Sequence, residues 1–299
     1  MISNQSHYIE AEAGRKLHVK KVYSTERSIG TILFIHGAIE NGRVFYSDSG
    51  KGLAYFLAKS GFTCYVADLR ARGLSSPGLE VEQDFNQFDI LENDFPLLIK
   101  FVQRDSGLDK LSILTHSWGG VLANCFLLKS PLWIEKINSL VHIASKRRVS
   151  VFNIHRLFYI DLMWNLIGNL ILLFKGYLPK DYYGPDGESR GTLKDSQKWV
   201  YSKSWTDSEN GLDYAFLATQ HKLPPSLYLT GSKDHCLGHI ADVRNFANEC
   251  GFEDKDVELI GKAQGHSEDY DHISILTSPN AEMDHFPLIE SFLRLQSKS

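Results

Sequence analysis

The stretch LSILTHSWGGVLANC (residues 111–125) decides how the rest of the chain is read. It opens as a short apolar run, LSILTH, suited to a covered strand. It then passes through Ser117-Trp118-Gly119-Gly120 straight into a helical pattern, WGGVLANCFLLK. Ser117 therefore stands at the apex of a strand-to-helix corner. A corner this tight strains its apex backbone and thrusts the side chain out of the sheet. The positions two before and two after must be small, because strand and helix backbones nearly touch. Gly119 meets that demand, whereas Thr115 stands where G-x-S-x-G has its first glycine. A serine here could also serve only as a helix cap, so its partners have to be sought elsewhere.

On either side of this corner, short apolar runs alternate with helical patterns. HYIEAEAGRKLHVKKVY reads as an antiparallel hairpin around Gly14-Arg15-Lys16. TILFIH (31–36), FTCYVADL (62–69), KLSILTH (110–116), INSLVHIAS (137–145), SLYLTG (226–231) and DVELIG (256–261) read as strands. GLAYFLAKSG (52–61), residues 85–105, 118–129 and 239–251, and AEMDHFPLIESFLRLQ (281–296) read as helices. The alternation predicts an α/β fold: a mostly parallel central sheet with helices on both faces. Ligands of such sheets sit beyond the carboxyl ends of the strands, so the residues just after each strand are the ones to examine.

Between residues 146 and 224 the rhythm stops, and no clear strand occurs. The expected organisation is a core of 1–145 and 225–299 interrupted by a largely helical cap or lid insertion over 146–224. The insertion is rich in aromatics, which can line an apolar pocket or simply pack it down. GPDGESRG (184–191) reads as a polar, turn-rich hinge between its segments.

The bulk properties narrow the function. The 299 residues carry 43% hydrophobic and 23% charged residues, an ordinary globular balance. A formal net charge of −4 offers no basic field for nucleic acid. SKRR (145–148) is the one basic run and reads as a solvated segment. Four cysteines lack the spacing of a disulfide framework or a metal site. His235 and His239 beside Cys236 do not complete a ligand set, so no metal and no cofactor is expected. MISNQSHYIEAEAGRK lacks a signal-peptide pattern, and the expected compartment is the cytoplasm.

One stretch, LFYIDLMWNLIGNLILLF (157–174), approaches the length of a membrane span. Asp161, Asn165 and Asn169 recur every four residues and form a polar stripe beside Gly168. An amphipathic helix covering an apolar surface fits this pattern better than a span, with peripheral membrane or lipid contact as the remaining membrane reading.

A serine hydroxyl needs a base, and the base an orienting acid, before it attacks a carbonyl. Asp234 follows SLYLTG, and His266 and His272 follow DVELIG. His36-Gly37 follows the strand TILFI, so the Ala38 amide, together with that of Trp118, can face a developing oxyanion. These elements resemble those of α/β-hydrolase fold serine hydrolases of the esterase and lipase kind. The likeness covers about 25–145 and 225–296 and rests on LFIHG, YVADLRARGLSSP, LTHSWGG, LYLTGSKD and DYDHISIL. DLRARGLSS departs from the family's D-x-R-G-x-G-x-S loop at Ala71, and the resemblance makes Asp68, Arg70 and Ser75 scaffold residues. It implies Ser117 as nucleophile, Asp234 as acid and a cleaved carboxylic ester. Thioester or amide cleavage with the same residues, or a non-catalytic binding role, are the alternatives. For the base, a Gly-His pair after the last strand suggests His266. The run from His272 to the final helix resembles acid-lipase-like members and selects His272. His116 and His142 read as core support, and Asp242 as a solvated helix residue. The expected partner is a small ester with an apolar acyl or aromatic group.

Overall fold

The computed structural model describes residues 1–297, so the last two residues of the 225–299 segment lie outside the described residues. The strands are β1 (Ile2–Glu10), β2 (Lys16–Ser24), β3 (Thr31–Ile35), β4 (Thr63–Ala67), β5 (Leu111–His116), β6 (Ile137–Ile143), β7 (Ser226–Gly231) and β8 (Val257–Ile260). They form one sheet in the order β1-β2-β4-β3-β5-β6-β7-β8. The β1–β2 hairpin and the β2–β4 pair are antiparallel. Every pair from β4 to β8 is parallel. β3, β4 and β5 are buried at every residue, as their unbroken apolar runs demand of strands covered on both sides.

Helices α1 (Leu53–Lys59) and α2 (Phe95–Ser106) flank the first half of the sheet, and α3 (Trp118–Lys129) follows the corner. Pro96 begins α2 instead of breaking it, because its missing N–H falls in the first turn. The insertion contributes α4 (Ile154–Lys175), α5 (Arg190–Tyr201) and α6 (Tyr214–Gln220). Each is capped by the preceding residue: Asn153, Ser189 and Asp213 accept from amides within their first turns. Helices α7 (Ile240–Glu249) and α8 (Phe286–Gln296) complete the chain. Alternate strand residues divide the core in two: Phe34, Val66 and Leu114 pack with α1 and α8. Leu33, Ile35 and Ile113 pack with α2, α3 and α7.

Three expectations about the insertion need correction. SKRR is not solvated: Ser145, Lys146 and Arg147 are all buried. The end of β6 runs beneath the insertion, and Arg147 pairs with Glu249 while donating to the carbonyls of Trp199 and Ser202. GPDGESRG is not a free hinge. Glu188 and Ser189 are buried, Glu188 pairs with Arg72, and Asp186 accepts from the Gly73 amide. Asp186, Glu188 and Ser189 serve the contact with the core, while Arg190 is exposed.

The third correction concerns α4. Its polar stripe does not face solvent. Asp161 accepts from the Tyr201 hydroxyl, and Asn169 accepts from Lys194, both on α5. Ile160, Trp164 and Leu172 face inward and are buried. The outward side is apolar: Leu157, Phe158, Leu166, Leu170, Leu173 and Phe174 are exposed. The helix is 22 residues long with a mean hydropathy of 1.7 over its most apolar window, yet only 22% of that window is buried. The insertion's aromatics divide as well. Trp199 and Trp205 pack with Tyr214 and Phe246 on the core. Tyr159, Trp164 and Tyr183 instead face a cavity.

Candidate active site

Ser117 adopts φ 51° and ψ −123°, a conformation disfavoured for any residue with a Cβ. The chain accepts it because strand and helix leave no alternative path. A Cβ on Gly119 would lie 2.5 Å from the His36 carbonyl oxygen and 2.6 Å from that of Ile35. On Gly37 it would lie 2.8 Å from the Ser117 Cβ. Thr115 fits where glycine is usual because its hydroxyl turns toward β6. It donates to the Val141 carbonyl and meets His142 Nδ1 at 2.8 Å. Burial lowers the pKa of His142 to about 3, so its ring is neutral and Nδ1–H donates to that hydroxyl. The substitution is thus satisfied inside the sheet, and the corner keeps its shape.

The residues expected as nucleophile, base and acid stand together. His272 Nε2 lies 3.0 Å from Ser117 Oγ, and His272 Nδ1 lies 2.5 Å from Asp234 Oδ2. Asp234 is buried, which works against its charge. The His272 imidazole and the Cys236 amide outweigh that burial and hold its carboxyl below the ordinary value. His266 is elsewhere: its ring packs edge-on against His285 at 6.4 Å, and among the described residues it has no hydrogen bond to Ser117 or Asp234. Six residues further along, the chain places His272 on the loop that returns across the end of β7. Among the described residues the amides of Ala38 and Trp118 have no hydrogen-bond partner, whereas that of Ser117 donates to the Ile143 carbonyl. Gly37 N–H donates to Glu40 and Ile39 N–H to Glu188.

The sequence reading missed three features of this site. Glu40 is buried and joins three parts of it. Its carboxylate accepts from the Gly37 amide and lies 2.8 Å from His116 Nδ1. The other nitrogen of His116 lies 2.9 Å from the His272 carbonyl oxygen. With Glu40 ionised both neighbours of the ring are acceptors, an arrangement that favours the imidazolium. Burial opposes that charge, and Glu40 overcomes it, raising the His116 pKa. Glu40, His116 and His272 bring metal-ligand atoms within 4.8 Å of one another. Those atoms are engaged in the hydrogen bonds just given, which describe an ion pair and not a vacant coordination site. Asp242, read as solvated, is buried and accepts from the amide and hydroxyl of Ser150. Lys146 lies on the cavity wall.

That cavity measures about 730 Å³ and is bounded by Ser117, His272 and Asp234 on the core side. Tyr159, Ile160, Trp164 and Tyr183 close it from the insertion. The DLRARGLSS loop stays outside the cavity. Asp68 accepts from the Gly42 and Leu74 amides and from His18, while Arg70 pairs with Asp94.

A family model described as "alpha/beta hydrolase fold" matches residues 30–166. Its matched stretch includes the corner at Ser117, and the observed sheet order and insertion agree with the same fold. The chain has the α/β-hydrolase fold. Sterol esterase 2 of Saccharomyces cerevisiae is 31% identical over 96 residues, which is 29% of this chain and 18% of that protein. The chain thus spans under a fifth of that relative's length. A soluble variant of monoglyceride lipase from Saccharomyces cerevisiae, in complex with a substrate analog, superposes with a TM-score of 0.71 at 15% identity. That likeness covers 98% of this chain and 95% of the lipase. An esterase of Pyrococcus furiosus gives 0.59 at 16% identity over 99% and 92%. The thioesterase domain from the curacin biosynthetic pathway gives 0.58 at 14% over 97% and 99%. At these identities the likenesses speak to the fold.

Proposed function

We propose that this protein is a serine hydrolase that cleaves carboxylic esters through an acyl-enzyme. The observation that carries the reading is the unbroken contact Ser117 Oγ–His272 Nε2 and His272 Nδ1–Asp234 at 3.0 and 2.5 Å. His272 takes the proton of Ser117 as its oxygen attacks the ester carbonyl. Asp234 orients the imidazole and stabilises the cation that forms. The partnerless amides of Ala38 and Trp118 receive the oxyanion; in comparable sites one such donor is worth ~2.7–4 kcal/mol. His272 then protonates the leaving alcohol, and water repeats the cycle to release the acid. Residues 146–224 act as a cap whose aromatic inner face binds the apolar part of the substrate. The exposed apolar face of α4 favours contact with a lipid surface, from which such substrates would enter. Two experiments test the central reading. A fluorophosphonate probe should label the protein and not Ser117→Ala. A panel of p-nitrophenyl esters and matched thioesters should show which leaving group is preferred. An unlabelled native protein would refute the assignment and leave a binding role on a hydrolase scaffold.

A further inference from the structure

The cavity wall is mostly apolar and aromatic; apart from Asp234 and the histidines, its charged residues are Glu40, Arg43, Lys146, Lys233 and Asp271. Lys146 follows the end of β6, three residues after Ile143, and is only 7% exposed. It lines the same cavity as Ser117 and His272. No hydrogen bond or ion pair to its ammonium is found among the described residues, and the groups that favour its charge, Cys236, Asp242 and Asp234, do so without a hydrogen bond to it. Both of those carboxylates are engaged. Asp234 holds His272 and the Cys236 amide, and Asp242 holds Ser150. The other cations on the wall differ. Arg43 is exposed and paired with Asp48, and Lys233 is exposed to water.

A buried ammonium without a partner costs several kcal/mol by itself and is tolerated where a ligand completes it. Burial accordingly lowers the Lys146 pKa. Among uncharged ligands none would restore the lost solvation fully. A carboxylate would, by a charge-assisted hydrogen bond in a water-poor site.

We propose that Lys146 anchors an anionic group of the substrate: the cavity takes an ester whose apolar body carries a carboxylate, which pairs with the Lys146 ammonium while the ester carbonyl lies at Ser117. This deepens the proposed function and rests on Ser117 being the nucleophile. Lys146 is a specificity residue in that reading and takes no part in the bond changes.

The test compares mono-p-nitrophenyl esters of dicarboxylic acids from adipate to sebacate with p-nitrophenyl alkanoates of the same chain length. Shorter diacids are avoided because their free carboxylate attacks the ester unaided. Native protein should prefer the carboxylate ester at one or more lengths. Lys146→Met should lower the carboxylate-to-neutral ratio of kcat/KM roughly ten- to hundredfold, mainly through KM. An unchanged ratio overturns the proposal. A second measurement does not need turnover. Monomethyl suberate is titrated calorimetrically into Ser117→Ala and into Ser117→Ala with Lys146→Met. Weaker binding to the double variant by a similar factor supports the proposal; equal binding, or none to either, overturns it. Native protein that hydrolyses neither ester series, yet binds monomethyl suberate through Lys146, would refute the hydrolase reading alone.

Discussion

His116 Nδ1 and Glu40 Oε2 lie 2.8 Å apart across 76 residues of sequence, both buried beneath Ser117. The pair ties the loop after β3 to the end of β5, and through the His272 carbonyl it reaches the loop after β8. All three segments must keep register if Ser117, Ala38 and His272 are to face one point. Ion pairing supplies that register where apolar packing would allow sliding.

Removing one member should therefore cost more than an exposed pair would. Glu40→Gln leaves His116 with a charge that has lost its counterion, at a cost of about 3–5 kcal/mol. The pH dependence has a definite sign. His116 is raised above its ordinary 6.5, so its contribution is complete below that pH and is lost as pH rises through its folded value. In Glu40, burial opposes the charge and His116 overrides it. Its folded value therefore lies below the ordinary 4.5, and its contribution is lost only as pH falls through that lower value. The melting-temperature gap between native and Glu40→Gln protein should be widest between pH 4.5 and 6.5 and shrink on the alkaline side. A gap independent of pH would show that the pair is not ionised.

Activity should follow the Ser117–His272–Asp234 order. By analogy with other triads, Ser117→Ala should lower kcat by about a millionfold and Asp234→Asn by about ten-thousandfold. His266→Ala should leave ester hydrolysis near the native rate, since its ring packs on His285. Steady-state kinetics on one soluble p-nitrophenyl ester decides all three.

Gly119→Ala should disturb the corner itself. Its Cβ would press on two backbone carbonyls that cannot swing away. Overpacking of this kind costs about 1–3 kcal/mol, and here it also displaces the Trp118 amide. Urea unfolding should show the loss, and kcat should fall more than KM rises.

The outward side of α4 should govern lipid contact. Leu166, Leu170 and Phe174 are exposed with no covering residues. Contiguous exposed apolar residues mark interaction surfaces. Replacing the three with glutamine should reduce co-sedimentation with phosphatidylcholine vesicles several-fold while leaving hydrolysis of a soluble ester intact. Equal partitioning would show that the face does not meet lipid.

The sequence by itself determined the strands, their parallel arrangement and the corner at Ser117, because apolar periodicity and glycine placement act locally. Chain order at strand ends was enough to nominate Asp234, since a parallel sheet presents all such ends on one edge. Between His266 and His272 the run to the final helix favoured His272, and it is His272 that the fold brings within hydrogen-bond range of Ser117 and Asp234. It also decided that Lys146 and Arg147 are buried, that Asp242 and Glu40 are engaged, and that α4 turns its polar stripe inward. The physical reason is common to these cases. A charged or polar side chain reads as solvated until a partner distant in sequence is brought within hydrogen-bond range, and only the fold supplies that partner.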